Sequence, residues 1–225
     1  MNYQRLDEFV AFLDREVSSA VGELEKVAEQ SRRHLQKLVY TNVVDRFDAT
    51  VDHSLLDNAL EEPLLSAILQ ELKNPLAEGE VLRLMTDPKA CKDRLKERVE
   101  GVMRNGILRD RHSKKLKKLF DALAPSENCE IPRVNPATGV VTSKFKPQDS
   151  KIPCSVPGYA DWLYSRRNAI VHGGGQAKML ENDLIQLKNL YKCDAAKTLK
   201  LKIGSITNAV AFYRSIVQLL TPKKS

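Results

Sequence analysis

Long apolar runs are what this sequence most plainly lacks. No stretch of its 225 residues reaches the roughly 20 apolar positions that a membrane-spanning helix requires. The opening MNYQRLDEFVAFLD has no apolar core of a secretory signal. Cysteine is scarce. Cys91, Cys129, Cys154 and Cys193 stand far apart and never as CxxC, which argues against a disulfide framework and against a closed zinc site. A reducing cytoplasm is the location these absences predict. No repeat period is visible, which excludes a solenoid. Strand-like patterning is confined to the middle of the chain, which excludes a mainly β architecture.

What is present points to helices and to an anionic partner. Hydrophobic residues make up 42% of the chain, enough for a core and too many for a disordered segment. The formal charge is +7, with basic residues spread along the chain rather than stacked in one tail. Residues 3 to 60 read as helix nearly throughout. Leu6, Val10, Leu13, Val17, Val21, Leu24 and Val27 recur at steps of three and four, and a second run carries Leu35, Leu38, Val39, Val43, Phe47, Val51 and Leu55. A division near Ser31 is expected, because one globular helix does not reach that length. Pro63 starts a third helix that Asn74-Pro75 ends, and Asp87-Pro88 caps another over residues 88 to 102. Helix resumes at Tyr159 and continues through LENDLIQLKNLYK and SITNAVAFYRSIVQLL.

Between the helical blocks lie a basic run, RDRHSKKLKKLF at residues 109 to 120, and a segment with six prolines at residues 124 to 158. In the latter, NPATG followed by VVTSKF predicts a short hairpin or a surface lid. Neither helical block offers enough apolar faces to stand alone. The pattern therefore predicts an all-α bundle: a single domain over residues 1–225, with additional helices in 61–124 and an irregular insertion or lid in 125–156.

The stretch RRNAIVHGGG, from Arg166, concentrates the chemistry. On a helix at about 100° per residue, Tyr159, Trp162, Leu163 and Ile170 share one arc, the core face. Arg167, Asn168 and His172 occupy another sector, with Asn168 and His172 stacked one turn apart. Arg166 falls awkwardly in the apolar arc, where it either snorkels or pairs with an acid. Val171 lies in the polar sector and is available to a second subunit. Gly173 is suited to a positive-φ cap, and the three glycines allow a polynucleotide backbone close to His172. Two readings of Arg167 stand side by side: a phosphate ligand, or an interhelical ion pair with Asp45 or Asp48 of the early helices.

Arg167, Asn168 and His172 in LYSRRNAIVHG resemble the R-x4-H motif of the HEPN superfamily of helical domains, in the RRNxxxHG form of stand-alone members linked to stress response and phage defence. The resemblance covers residues 3 to 60 and 156 to 220 and leaves 61 to 155 unexplained. It implies an HEPN-like bundle, a metal-independent endoribonuclease and a homodimer that brings two motifs into one cleft, with no cofactor. It also implies a toxin-like role with a neutralising or activating protein partner. In the HEPN toxins paired with nucleotidyltransferase antitoxins a tyrosine often follows the histidine by two positions; here that position is Gly174, a departure from that subgroup.

Chemistry supports those roles. Histidine takes or gives a proton near neutrality, and arginine offers a fixed fork of donors to phosphate oxygens. His172 is the expected acid or base and Arg167 the phosphate ligand, while Asn168 orients His172 or holds a phosphate oxygen. Arg166, Lys114, Lys115, Lys117, Lys118, Arg109 and Arg111 are the expected RNA-binding residues, extending a positive track. The rival function is a non-catalytic helical module that binds RNA or protein through the same basic surface. His34 and His112 read as solvated; Asp48, Asp52 and His53 are close in sequence, but only Asp48 and Asp52 share a helical face and no third ligand for a metal is evident.

Overall fold

A helix of 29 residues, α3 (Glu29–Asp57), is the spine around which the others pack. A computed structural model of the chain describes residues 1–72, 77–127, 129, 133–142, 151–173 and 176–222. Tyr40, Val43, Val44, Phe47, Val51 and Leu55 are fully buried on α3, at the three- and four-residue steps of an apolar stripe. Phe47 stacks on Tyr213 at 4.2 Å between ring centroids and meets Phe9 at 5.2 Å, tying the first, third and last helices into one aromatic core.

The N-terminal run is α1 (Gln4–Phe12), a π-helical turn over Leu13–Val17, and α2 (Ser18–Leu24). The π turn rotates the apolar face. Phe9, Phe12 and Leu13 are buried, while Val10 and Val21, which a strict stripe would bury, are only half-buried. The Ser18 hydroxyl donates to the Leu13 carbonyl at 3.0 Å across that turn. The helical run divides at residues 25–28, a little before Ser31, where Arg32 donates to the carbonyls of Val27 and Glu25.

The N-terminal end of α3 departs from the sequence pattern. Leu35 and Leu38 are exposed, whereas Gln36 is 7% exposed. The core side of the helix at that point is therefore polar.

The middle of the chain supplies α4 (Leu64–Glu71), α5 (Glu78–Thr86), α6 (Pro88–Asn105), a 3-10 turn over Ile107–Arg109, and α7 (His112–Leu123). Pro63 precedes α4 as expected; the Asn74-Pro75 stop lies outside the described residues. Asp87 caps α6 by accepting from the backbone N–H groups of Lys89 and Ala90, both at 3.1 Å.

The proline-rich segment forms the expected hairpin. β1 (Arg133–Val134) pairs antiparallel with β2 (Val141–Thr142), in the register Arg133 with Thr142 and Val134 with Val141. Gly139 in the turn has φ +75, and a Cβ there would lie 1.9 Å from the Asn208 carbonyl oxygen, so both conformation and space demand glycine. The Asn208 side chain donates to the carbonyls of Pro136 and Ala137. The hairpin is thus clasped to α10 (Ile203–Leu220) and to the start of α8 (Val156–His172), where Val134 N–H donates to Cys154 O at 2.7 Å. Residues 143–150 of the expected insertion or lid lie outside the described residues.

Among the described residues the protein is all-α apart from this small sheet. Among the described residues no helix is long and apolar enough to cross a membrane.

Candidate functional site at the C-terminal end of α8

Ser155 caps α8 by accepting from Gly158 N–H, with proline in the first turn, so the helix starts three residues before Tyr159. Tyr159 and Leu163 enter the core as their arc predicts. The helix ends at His172, and Gly173 caps it with φ −78 rather than a positive φ, donating its N–H to Ala169 O at 3.1 Å. A Cβ on Gly173 would lie 2.2 Å from that oxygen, so glycine serves here through close approach and not through left-handed backbone. Gly174 and Gly175, which with Gly173 are expected to allow a polynucleotide backbone close to His172, lie outside the described residues.

The three motif residues lie on the last two turns of α8, held to different degrees. Arg167 Nε donates to Asp45 Oδ1 of α3 at 2.6 Å and Nη1 to the side-chain Oδ1 of Asn168 at 3.3 Å. Its side chain is 20% exposed, against 42% for Asp45. The guanidinium also lies over the Tyr164 ring, 5.6 Å from the centroid. The ion-pair reading of Arg167 is therefore met by Asp45. That pair fixes the Nε edge and leaves Nη2 without a protein partner among the described residues. Asn168 Nδ2 approaches Asp183 Oδ2 of α9 (Glu181–Tyr191) at 3.5 Å. Burial pushes the Asp183 carboxyl above its usual range; the Asn168 hydrogen bond opposes this and the nearby Asp161 charge adds to it. His172 is exposed and has no hydrogen-bond partner among the described residues, and Val171 beside it is 48% exposed.

Arg166 is a correction. It was expected to touch RNA, but it is 7% exposed and faces inward. Its guanidinium donates to Lys200 O at 2.6 Å and reaches Ser205 Oγ at 3.4 Å, sandwiched between the rings of Trp162 and Tyr40. Its place in the apolar arc is explained without a carboxylate. Aromatic faces and a carbonyl satisfy the cation, and it pins the segment leading into α10.

The basic run of α7 is also corrected in part. Lys115 is 4% exposed, its ammonium between Asp48 and Asp52 of α3 at 2.8 and 2.6 Å. Lys114 and Lys118 both approach Asp110, and Arg111 lies 3.8 Å from Asp161. Arg109, Lys114 and Lys117 face solvent and Lys118 does so in part. Much of the run's positive charge is thus neutralised by acids of the same fold.

A buried polar wall joins α3, α7 and α8 behind Arg167. His112 Nδ1 meets Asp48 Oδ1 at 2.6 Å, and its ring stacks on Tyr164 at 5.4 Å. The other ring nitrogen, Nε2, is buried with no partner among the described residues. Burial acts to raise the Asp48 carboxyl, but the hydrogen bonds and charges of His112 and Lys115 outweigh it and hold it at about 2. For Asp52, burial wins over the Lys115 contact and the carboxyl sits above its usual range. The shared face of Asp48 and Asp52 is thus occupied by an ammonium.

Sequence reasoning left His112 in solvent. The spacing of Asp48 and Asp52 on α3 against His112 and Lys115 on α7, opposite charges at one-turn steps, is the sign that could have paired them. His34 is exposed, as expected, and so is His53. A second acid, Asp161, accepts from Ser113 N–H at 3.0 Å, Ser113 Oγ at 2.9 Å and Tyr191 O–H at 2.7 Å, which anchors α7 and α9 to α8. No family model, curated protein or solved structure matches this chain.

Proposed function

We propose that the chain is a metal-independent endoribonuclease that works as a homodimer, with Arg167 and His172 of two copies facing one phosphodiester. The observation that carries this reading is an exposed His172, without a hydrogen-bond partner among the described residues, five residues after an arginine oriented from behind by Asp45. A cation held by a carboxylate on one edge still presents its remaining N–H groups to phosphate, and a solvent-facing imidazole remains free to exchange a proton. Val171, exposed beside them, is an apolar contact for the second copy.

In the reaction, neutral His172 of one copy takes the proton of the 2′-hydroxyl as its oxygen bonds to phosphorus. The bond from phosphorus to the 5′-oxygen breaks, and protonated His172 of the other copy gives its proton to that oxygen. Arg167 balances the charge that accumulates on the non-bridging oxygens. The products are a 2′,3′-cyclic phosphate and a 5′-hydroxyl, and DNA, which lacks the attacking hydroxyl, is not cut. Such an activity suits defence or stress response, with a neutralising or activating protein partner.

The Arg167–Asp45 and Asn168–Asp183 contacts favour a second reading, a non-catalytic helical module in which the motif clamps α8 to α3 and α9. Incubation with mixed-sequence RNA in excess EDTA separates the two. The enzyme reading expects cleavage by the wild type and none by folded Arg167→Ala and His172→Ala. Intact RNA in every lane, with a lower melting temperature for Arg167→Ala, supports the clamp.

A further inference from the structure

Three acids lie along one face of α3 at steps of three and four residues: Asp45, Asp48 and Asp52. The first takes Arg167 of α8, the second takes His112 of α7, and Lys115 of α7 spans the second and third. Tyr164, three residues before Arg167 on α8, touches both Arg167 and His112. The guanidinium carbon of Arg167 lies 5.6 Å from the centre of the Tyr164 ring, and the His112 ring packs on Tyr164 at 5.4 Å with 8° between the planes. Burial and the Asp48 charge push the Tyr164 hydroxyl above its ordinary value, with Arg167 and Lys115 opposing, so near neutral pH the ring offers the guanidinium an uncharged face. His112 is a buried ionisable group that the cleavage chemistry leaves unused. Its side chain is 1% exposed, Nδ1 is taken by Asp48, and Nε2 is buried with no partner among the described residues. An imidazole closed off in this way exchanges no proton with a phosphodiester, so what it offers the site is its ring face.

We propose that Tyr164 and His112 are positioning residues for Arg167, and that the chain of contacts Asp48–His112–Tyr164 sets the plane in which its guanidinium meets the scissile phosphate; this rests on the cleavage reading of Arg167. A planar cation has to be fixed twice. The Asp45 bond at Nε fixes its direction, but one short bond lets the group tilt about it, and Asn168, reached at 3.3 Å, is a weaker second hold. The Tyr164 ring opposes the tilt. His112, anchored by Asp48 at 2.6 Å and met edge-on by the core ring of Phe47 at 5.9 Å, keeps the Tyr164 ring from swinging away. Nη2 is then the group presented outward, in a fixed orientation. Charge balance alone does not call for this arrangement. Lys115 already neutralises Asp48 at 2.8 Å, so an apolar side chain at position 112 leaves that carboxylate paired. What an aliphatic side chain there does not supply is a flat face against the tyrosine.

The test compares the full chain with Tyr164→Leu, Tyr164→Phe, His112→Leu and His112→Phe, each checked for folding by its melting curve. Two readouts are taken: the Arg167 Nε–H resonance of nitrogen-15-labelled protein, assigned by its loss in Arg167→Ala, and RNA cleavage in excess EDTA. Tyr164→Leu and His112→Leu shift or broaden the resonance and lower kcat by about ten- to hundredfold, with KM changing by less than about threefold. Tyr164→Phe and His112→Phe keep the flat faces and retain both the resonance and most of kcat. The proposal is overturned if the leucine variants lower only the melting temperature and leave the resonance and kcat in place, as a purely structural role requires. It is equally overturned if the phenylalanine variants behave like the leucine ones, because the hydroxyl or the imidazole nitrogens then matter and the ring faces do not. Should His112→Leu fail to fold, the two variants of the half-buried Tyr164 decide. A wild type that leaves RNA intact while the resonance responds as expected overturns the cleavage reading and keeps the positioning of Arg167. A resonance that does not respond, in protein that cuts RNA, does the reverse.

Discussion

At the scale of single residues, the structure turns on where charged side chains find partners. Asp48 is the clearest case. Its carboxyl sits at about 2, below the ordinary value near 3.8, because His112 and Lys115 hold its charged form against the cost of burial. A folded-state value below the unfolded one means that the stabilisation is present above the unfolded value and disappears as pH falls through about 2. Wild type therefore exceeds Asp48→Asn in stability near neutral pH, and the gap narrows by about 2 kcal/mol between pH 5 and pH 2. Denaturant melts at several pH values measure this, and a gap independent of pH refutes the ion cluster. The ion-pair alternative for Arg167 could be read in the sequence, since Asp45 sits on an early helix of the right period. The inversion at Leu35, Gln36 and Leu38 could not, because periodicity assumes that apolar residues seek the core and no local pattern announces a buried amide.

At the scale of elements, turn and cap chemistry read directly from sequence. Asp87-Pro88 starts α6 and NPATG turns the hairpin, each for a stated local reason. Two substitutions test those assignments. Asp87→Ala removes the carboxylate that accepts from two backbone N–H groups and costs about 1 kcal/mol by denaturant melt, whereas the exposed Lys89→Ala is close to neutral. Gly139→Ala costs more than about 1 kcal/mol, because alanine resists φ +75 and its methyl meets the Asn208 carbonyl. An unchanged melting curve for Gly139→Ala contradicts the clasp on α10. What sequence did not reveal was the docking of these elements. The hairpin reaches α10 through contacts more than 70 residues apart in the chain, such as Asn208 with Ala137, and only the assembled fold brings them together.

At the scale of the whole molecule, the all-α architecture followed from the helical period at both ends of the chain, and the long α3 made a single core from segments that the sequence presents as separate blocks. The basic charge was legible as a sum but not as a map. Acids of α3 and Asp161 neutralise much of α7, while Lys200 and Lys202, which have no ion pair among the described residues, lie at the start of α10. The proposed enzyme is a dimer in which each copy lends one histidine to a shared cleft, so the protein should sediment as a dimer at working concentration and Val171→Asp should shift it toward monomer. A wild type that stays monomeric removes the basis for a shared cleft.

The most direct measurement is RNA cleavage in excess EDTA by wild-type protein mixed with His172→Ala and allowed to exchange subunits. If both histidines serve one phosphodiester, only all-wild-type dimers cut, and an equal mixture retains about a quarter of the activity of wild type at the same total concentration. Activity proportional to the wild-type fraction, or no cleavage by the wild type itself, contradicts the account.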